Sequence, residues 1–289
     1  MEPGKNEMYN GPTLAKLHGL QLKIAMEIQR VCEKNGLRCF LVYGSLLGAV
    51  RHGGFIPWDD DMDVGMLRAD YDAFVEACKT DLGSEFVLQT WDNDPEYPFA
   101  DGKVRLKGTH VSEKFAAGCG TPGNDGICVD VFPFNAVPDG TWARKLQGWG
   151  CFVFKRLLWI RKGFGKCIRE ESFAQRLKYD AFRILASLFP YGTLKKCFRR
   201  VMGHWNGRKT RDVVANGDYY LLKQVIPRAW TEDLEPVPFE GETFPAFRER
   251  VAYLERVYGD YMALPPPEKR RAHELGHIDF GPYGGQEPL

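Results

Sequence analysis

Residues 43–64 read Tyr43-Gly-Ser-Leu-Leu-Gly-Ala-Val-Arg-His-Gly-Gly-Phe-Ile-Pro-Trp-Asp-Asp-Asp-Met-Asp-Val64 and join a Gly-Ser turn to a dense acidic cluster. Four carboxylates, those of Asp59, Asp60, Asp61 and Asp63, fall within five positions and repel one another. A fold that packs these charges together needs a cation to offset them. The cluster therefore predicts a divalent metal ion, Mg²⁺ or Mn²⁺, and favours an enzyme.

The segments on either side of the turn indicate how this motif is held. A strand is predicted over residues 62–66, and because side chains on a strand alternate between faces, Asp61 and Asp63 should project from the same side. A second strand, over 37–43, is expected to run into Gly44-Ser45 and then into a short helix over 46–51. A glycine turn at a helix start presents backbone N–H groups to an anion, so this turn is a candidate phosphate site.

The remaining predicted elements are of both types. Apolar residues at helical spacing predict a helix over 13–35. Further along the chain we expect helices over 70–80 and 246–258 and strands over 86–91, 103–107, 127–132, 219–225 and 237–244. In the strand over 127–132, Asp130 is inserted among apolar residues and projects from the face opposite Val129 and Val131. The order predicts an α+β fold with a mixed sheet flanked by helices.

Length and composition set the class of protein. A chain of 289 residues with 44% hydrophobic content can bury a large core in one elaborated domain or in two. The eight cysteines are scattered without CxxC spacing, which is typical of reduced thiols in a cytosolic protein. The sequence shows no leader pattern and no run of eighteen apolar residues, so we expect a cytoplasmic protein.

Positive charge is concentrated in the middle of the chain. Residues 144–211 hold eighteen Lys and Arg against three acidic residues, a net charge of +15, whereas the whole chain carries +1. Aromatic residues such as Trp142, Trp149 and Trp159 are interleaved with these cations over 142–205. This pattern suits a helix in a membrane interface, with peripheral contact on the inner face of the plasma membrane. A helical subdomain with a solvated basic face fits it equally well.

The run from Gly44 to Val64 closely resembles the signature of the LicD family. The resemblance continues in Lys103-Val-Arg105, in Val129-Asp-Val-Phe-Pro-Phe134 followed by Val137-Pro-Asp139, and in Tyr258-Gly-Asp-Tyr-Met262 near the C-terminus. It implies a nucleotidyltransferase-like fold and a phosphotransferase that uses a CDP-linked alcohol such as CDP-choline. The acceptor would be a sugar hydroxyl of a cell-surface glycan or of its lipid-linked precursor.

The resemblance also suggests a division of the chain into three segments. Residues 1–141 would form the nucleotidyltransferase-like core, and 142–217 would be a basic, aromatic-rich helical insertion that matches the family only in kind. Residues 218–289 would complete the catalytic domain.

Roles for individual residues follow from charge. Asp61 and Asp63 are expected to hold the metal ion, and Asp130 is the third carboxylate, either as a ligand or as the base that accepts the sugar hydroxyl's proton. Gly44 and Ser45 are expected to contact donor phosphate. The alternative for Asp130 is a structural role, as a buried acid that is capped or paired within the core.

A second group of candidates carries positive or aromatic side chains. Lys103 and Arg105 alternate on one strand, so both can face the cleft and bind a diphosphate, although an exposed edge-strand pair is the alternative. Arg51 is a further candidate contact for donor phosphates. The remaining residues have less defined roles and are His52, Trp58, Asp59 and Asp60 around the acidic cluster and Lys269, Arg270 and His273 near the C-terminus.

Two rival functions remain open from the residues alone. The Gly-Ser turn and Asp-x-Asp pattern also fit a nucleotidyltransferase that attacks the α-phosphate of an NTP and releases diphosphate. A catalytically silent protein could instead use the basic segment to bind nucleic acid or membrane. Three acids that converge on one site argue against the silent protein, and nucleic acid is the less favoured partner.

Overall fold

A mixed β-sheet with flanking helices organises the computed structural model, which describes residues 11–113, 125–163, 173–215, 224–270 and 275–284. The helices are α1 (Pro12–Lys34), α2 (Tyr43–His52), α3 (Arg68–Asp81), α4 (Thr141–Arg161), α5 (Phe173–Ser187), α6 (Tyr191–Gly203), α7 (Arg228–Glu232) and α8 (Arg250–Tyr258). The strands are β1 (Phe40–Leu41), β2 (Asp63–Leu67), β3 (Phe86–Gln89), β4 (Gly102–Leu106), β5 (His110–Glu113), β6 (Cys128–Val137), β7 (Asp212–Ala215), β8 (Ile226–Pro227), β9 (Leu234–Phe239), β10 (Glu242–Phe247) and β11 (Leu275–Asp279).

Strand β6 is the centre of the seven-stranded sheet, whose main order is β1-β2-β6-β4-β3. One edge of β6 pairs in parallel with β2, and the other pairs antiparallel with β4 and, further along, with β7. Strand β8 extends the sheet beyond β7. Two small sheets, β9–β10 and β5–β11, lie outside it. The α+β class with a mixed sheet is confirmed.

The core forms where α1 crosses the sheet. Helix α1 buries apolar residues along one stripe, including Leu17, Ile24 and Ile28, as its 3.6-residue spacing predicts. On the sheet, Val129 and Val131 are fully buried, whereas Asp130 between them is half-buried on the opposite face. The alternation expected for this strand is confirmed, and it leaves one face of β6 available for polar side chains.

Helices α4, α5 and α6 form a helical insertion between β6 and β7, two strands that are neighbours in the sheet. The insertion has its own buried cluster, with Cys151 and Leu158 of α4 against Phe198 of α6. Gln147 of α4 connects the insertion to the sheet, because its Nε2 donates to the carbonyl of Ala136 in β6 at 3.3 Å. The same Nε2 donates to the carbonyl of Met202 in α6 at 3.0 Å.

The C-terminal elements pack against the motif that follows β1. The Tyr253 hydroxyl of α8 accepts a hydrogen bond from the Tyr43 N–H at 3.2 Å. Glu240, in the turn between β9 and β10, accepts the Phe55 N–H through Oε1 at 2.9 Å. The chain end predicted to complete the catalytic domain therefore contacts α2 and the loop after it. The three-segment division stays a prediction.

Three predicted elements differ from the structure. The strand expected over 37–43 is wrong in extent, because only Phe40–Leu41 pair with β2 and the chain enters α2 at Tyr43, whose φ is +47°. The prediction of one strand over 237–244 is also wrong, because two strands, β9 and β10, occupy this region. Glu240 and Gly241 adopt φ of +51° and +81° and turn the chain back into a hairpin. Because β10 runs to Phe247, α8 begins at Arg250 and not at residue 246. Most of the strand expected over 219–225 lies outside the described residues.

Two expectations from composition concern thiols and membrane spans. The six cysteines in the described ranges are free thiols. Among the helices of those ranges, none combines the length and the apolar character needed to cross a membrane.

Candidate active site

Three neighbouring strands place charged side chains in one row. Asp63 of β2 is the register partner of Asp130 of β6, and Asp130 is in turn the partner of Lys103 of β4. Side chains of residues paired across adjacent strands project from the same face of a sheet. Lys103 donates through Nζ to both carboxylate oxygens of Asp130, at 2.7 Å to Oδ2. The fold therefore brings together the two acids and the lysine predicted for the site.

Burial perturbs the ionisation of this row. Asp63 is buried, and its pKa is raised well above its ordinary value, first by burial and then by the charges of Asp61 and Asp130. Burial alone would lower the pKa of Lys103, but the neighbouring negative charges, led by that of Asp130, raise it above its ordinary value. Positive charge beside Asp63 would favour its ionised form. Lys103 supplies part of that charge.

The acidic loop before β2 supplies a second group of carboxylates. Asp59, Asp60 and Asp61 each offer an oxygen, and these oxygens lie within 4.8 Å of one another. Carboxylate oxygens are the ligands that Mg²⁺ and Mn²⁺ prefer, so the residues present fit a divalent ion. The cluster shares Asp61 with the predicted ligand set, whereas Asp63 and Asp130 belong to the strand row. Asp61 precedes β2, so it is held by the loop and not by strand alternation.

Helix α1 holds the acidic loop through its backbone. His18 donates through Nε2 to the Asp59 carbonyl at 2.8 Å, and Gln21 donates through Nε2 to the Asp60 carbonyl at 2.8 Å. Burial lowers the pKa of His18, which favours the neutral ring with its single N–H donor. Neither residue is among those predicted for the site from the sequence. The available signal was two polar side chains, three positions apart, on the apolar stripe of an amphipathic helix.

The first turn of α2 contains Gly44 and Ser45, which the sequence placed in a turn before the helix. The Ser45 hydroxyl is buried and accepts the Asp63 N–H at 2.7 Å. A Cβ on Gly44 would lie 2.8 Å from Asp59 Oδ2, so glycine allows the carboxylate to approach the helix start. Both residues thus position the acids. Their predicted contact with phosphate, through N–H groups that a first helical turn leaves without intrahelical acceptors, stays a prediction.

A cavity of about 460 Å³ opens beside the row of charges. Lys103 and Arg105 both line it, as their alternation on one strand predicts. Arg105 is fixed by hydrogen bonds from Nε to Gln89 Oε1 and from Nη1 to the Gly126 carbonyl, each 2.7 Å. Other lining residues come from the acidic loop, from β6, from the loop before β4 and from the helical insertion, and they include Asp61, Asp130, Phe132, Phe99, Asp101, Lys155 and Trp159. The helical insertion is therefore one wall of the cavity.

Asp101 lines the cavity but is not among the residues predicted from the sequence. It is buried, and burial together with the charge of Asp130 raises the pKa of its carboxyl to about 6. The Tyr97 hydroxyl donates to Asp101 Oδ2 at 3.0 Å. A sequence signal existed, because Asp101 lies two positions before Lys103 and four before Arg105. The same alternation that aims those cations into the cavity also applies to this acid.

Arg51, His52 and Trp58 form a separate group with Arg270. The guanidinium groups of Arg270 and Arg51 lie over the Trp58 ring, 4.7 Å and 5.9 Å from its centre. The His52 ring packs edge-on against the same ring, with 6.0 Å between the ring centres. Arg51 also donates through Nη1 to the Tyr261 carbonyl at 2.9 Å. None of these four is among the described residues that line the cavity. The predicted phosphate contact of Arg51 stays a prediction, and His273 lies outside the described residues.

Comparison with known proteins finds a family that this part of the chain resembles. Residues 36–156, which contain the acidic loop, Lys103 and Asp130, match the family model described as LicD/FKTN/FKRP, nucleotidyltransferase domain. This part of the chain is similar to a LicD-family nucleotidyltransferase domain. The match begins before β1 and ends within α4, so it includes every residue of the strand row.

Individual LicD-family relatives extend the comparison. The chain is 25% identical to the lipopolysaccharide cholinephosphotransferase LicD of Haemophilus influenzae over 267 residues, which are 91% of this chain and 96% of that protein. It is 55% identical to the ribitol 5-phosphate transferase FKRP of Homo sapiens over 40 residues, 14% of this chain and 8% of that protein. The mouse protein of the same name matches over the same length. These homologues are transferases, which supports a phosphotransferase activity for this chain.

Proposed function

We propose that this LicD-type protein transfers phosphocholine, or a similar phospho-alcohol, from a CDP-linked donor to a sugar hydroxyl. The acceptor would belong to a cell-surface glycan or to its lipid-linked precursor. The observation that carries the proposal is the row Asp63, Asp130 and Lys103, of which Asp130 and Lys103 line a cavity of about 460 Å³ together with Asp61. Such a wall offers carboxylates for a cation and cations for a diphosphate. The full-length likeness to a cholinephosphotransferase supports the same conclusion.

The chain's own residues account for the steps of the transfer. Lys103 and Arg105 bind the negative charges of the diphosphate, and Lys103 exchanges its contact with Asp130 for the donor as it does so. Asp130 then accepts the proton of the sugar hydroxyl. The sugar oxygen forms a bond to the phosphorus that carries choline, the bond from that phosphorus to CMP breaks, and CMP leaves with the electron pair.

A divalent ion would complete the charge balance of this site. Mg²⁺ or Mn²⁺, held by Asp61 with either Asp63 and Asp130 or Asp59 and Asp60, would neutralise the diphosphate and the leaving CMP. The first ligand set follows from the sequence pattern and the strand register, and the second from the convergence of the loop carboxylates. Asp61 belongs to both sets.

Aromatic rings in the cavity favour choline over an uncharged alcohol. Trp159 and Phe99 line the cavity, and each ring already receives a lysine ammonium, Lys155 at 4.9 Å and Lys103 at 6.0 Å from the ring centre. Aromatic faces attract quaternary ammonium groups in the same way. The free thiols of the described cysteines fit a cytoplasmic site for the reaction.

Donors labelled in different parts test the function. The purified protein is incubated with Mg²⁺, the surface glycan of cells that lack the gene, and CDP-choline labelled either in choline or in cytidine. We expect choline label in the glycan and cytidine label in free CMP, with CDP-ribitol turned over more slowly. Incorporation of the nucleotide from CTP with release of diphosphate would instead establish the rival nucleotidyltransferase.

Substitutions separate the two metal ligand sets. Asp61→Asn should lower kcat by at least ~100-fold, since it removes a ligand from both sets. Of Asp59→Asn and Asp130→Asn, the variant that also weakens Mn²⁺ binding, measured by electron paramagnetic resonance, identifies the set. Asp233→Asn, which changes an exposed carboxylate paired with Arg248, is the matched control and should leave both quantities unchanged. Full activity of Asp61→Asn would overturn the proposal.

A further inference from the structure

Large apolar side chains are exposed mainly on one part of the molecule. Of the fourteen large hydrophobic residues that are exposed in the described ranges, nine lie on α4, on α5 or on the two residues that follow α5. We call outer face the surface made by Trp142, Leu146, Trp149 and Phe152 of α4 with Leu177 and Ile184 of α5. Trp142 is 82% exposed and Leu146 70%. A concentration of this kind marks an interaction surface.

In the first half of helix α4, apolar residues lie on two sides, and the described residues cover only one of them. Cys151 and Leu158 are buried in the apolar cluster of the insertion. Trp142, Leu146 and Trp149 follow the spacing i, i+4, i+7 on the other side. A surface helix normally has one apolar stripe. The described residues leave the second stripe uncovered in the first half of α4, which marks this part of the helix as a surface for a partner.

Charge indicates which partner fits. Helix α4 contains no acidic residue, and residues 144–211 carry a net charge of +15. Lys145 lies over the Trp142 ring at 5.3 Å, and Arg156 lies over the Phe152 ring at 5.5 Å. A second copy of the chain would bring two such basic segments together, whereas an anionic surface would attract them. Nucleic acid would satisfy the cations and leave the aliphatic side chains of Leu146 and Ile184 in water.

We propose that the outer face docks on an anionic lipid bilayer, with its aromatic rings at headgroup depth and its cations on lipid phosphates. Tryptophan and long basic side chains are suited to that zone, because each combines an apolar body with a polar or charged end. Further along the same helix, Lys155 and Trp159 line the cavity. Docking would therefore bring this wall of the cavity close to the membrane. The proposal stands whether or not the transfer reaction is correct.

Vesicle flotation tests the docking directly. The full-length protein is mixed with vesicles of phosphatidylcholine alone or of phosphatidylcholine with phosphatidylglycerol, at low and at high salt. We expect flotation with the anionic vesicles at low salt and a marked loss of flotation at high salt. A double variant, Trp142→Ser with Trp149→Ser, should lose binding by roughly tenfold or more. Because both side chains are exposed, the thermal unfolding of the variant should match that of the wild type.

A matched control uses exposed apolar residues elsewhere. Met26→Ser with Met262→Ser changes two exposed side chains outside the insertion and should float like the wild type. Protein that stays at the bottom with anionic vesicles at low salt would overturn the proposal. So would equal flotation of the tryptophan double variant. Dimerisation in gel filtration that this variant abolishes, without vesicle binding, would assign the outer face to a second copy instead.

Discussion

At the scale of single residues, the site depends on small side chains that let acids come close. Ser45 fixes the Asp63 backbone through its hydroxyl, and Gly44 leaves room for the Asp59 carboxylate at the start of α2. His18 and Gln21 hold the loop carbonyls from the other side. The carboxylates are therefore placed by neighbours that do not themselves need to touch a substrate.

Gly44→Ala tests this placement. The added Cβ would lie 2.8 Å from Asp59 Oδ2, and relief requires the carboxylate to move. A misplacement of ~1 Å at a reacting centre can lower the rate by about 100-fold. We therefore expect kcat/KM for the donor to fall by ~10–100-fold while the midpoint of thermal unfolding changes little.

The control for this substitution is Gly140→Ala, since a Cβ there meets nothing within 4 Å. It should keep wild-type activity. Unchanged kcat/KM in Gly44→Ala would show that the position of the Asp59 carboxylate is unimportant for the reaction.

At the scale of elements, strand β6 connects the two halves of the site. Its N-terminal half places Asp130 between Asp63 of β2 and Lys103 of β4, and its C-terminal half pairs with β7 after the helical insertion. The neighbouring β2 can lie against this strand only because its middle residue is Gly65. A Cβ there would meet side-chain atoms of Phe40 at 2.5 Å and Phe134 at 2.7 Å.

Gly65→Ala should therefore destabilise the fold. Both rings are buried and cannot move away without disturbing the core, and overpacking of this kind costs about 1–3 kcal/mol. Urea unfolding followed by circular dichroism measures the change in the free energy of unfolding. Gly192→Ala is the control, because its Cβ meets nothing within 4 Å at the start of α6, and it should be neutral or slightly stabilising. A neutral Gly65→Ala would contradict the close packing of β1, β2 and β6.

At the scale of the whole molecule, the helical insertion is both part of the fold and a wall of the cavity. Gln147 ties it to β6 and to the end of α6, where helical carbonyls lack intrahelical donors. The outer face on the far side of α4 remains exposed. The insertion can thus be loosened from the sheet without direct damage to the acidic loop.

Gln147→Leu tests this coupling. The carbonyls of Ala136 and Met202 would lose a buried donor, which costs about 1–3 kcal/mol. We expect faster amide hydrogen exchange in α4 and α6 with little change in β2, as mass spectrometry of peptides can resolve. Gln29→Leu, which removes a surface hydrogen bond to Glu33, should leave exchange in α4 and α6 unchanged. Equal loosening of β2 and the insertion would mean that the two unfold as one unit.

The sequence by itself determined the α+β class, the acidic loop and the alternation that sends Asp130, Lys103 and Arg105 to one face, because these depend on residue type and local periodicity. The ends of the strands near Tyr43 and Glu240 could not be predicted from the sequence, because positive φ at non-glycine residues is set by the packing around them. Only the tertiary structure decided that Asp63, Asp130 and Lys103 share one register, that α1 holds the loop and that α4 forms a cavity wall. Those features are contacts between residues far apart in the chain, and local patterns carry no information about which distant segments meet.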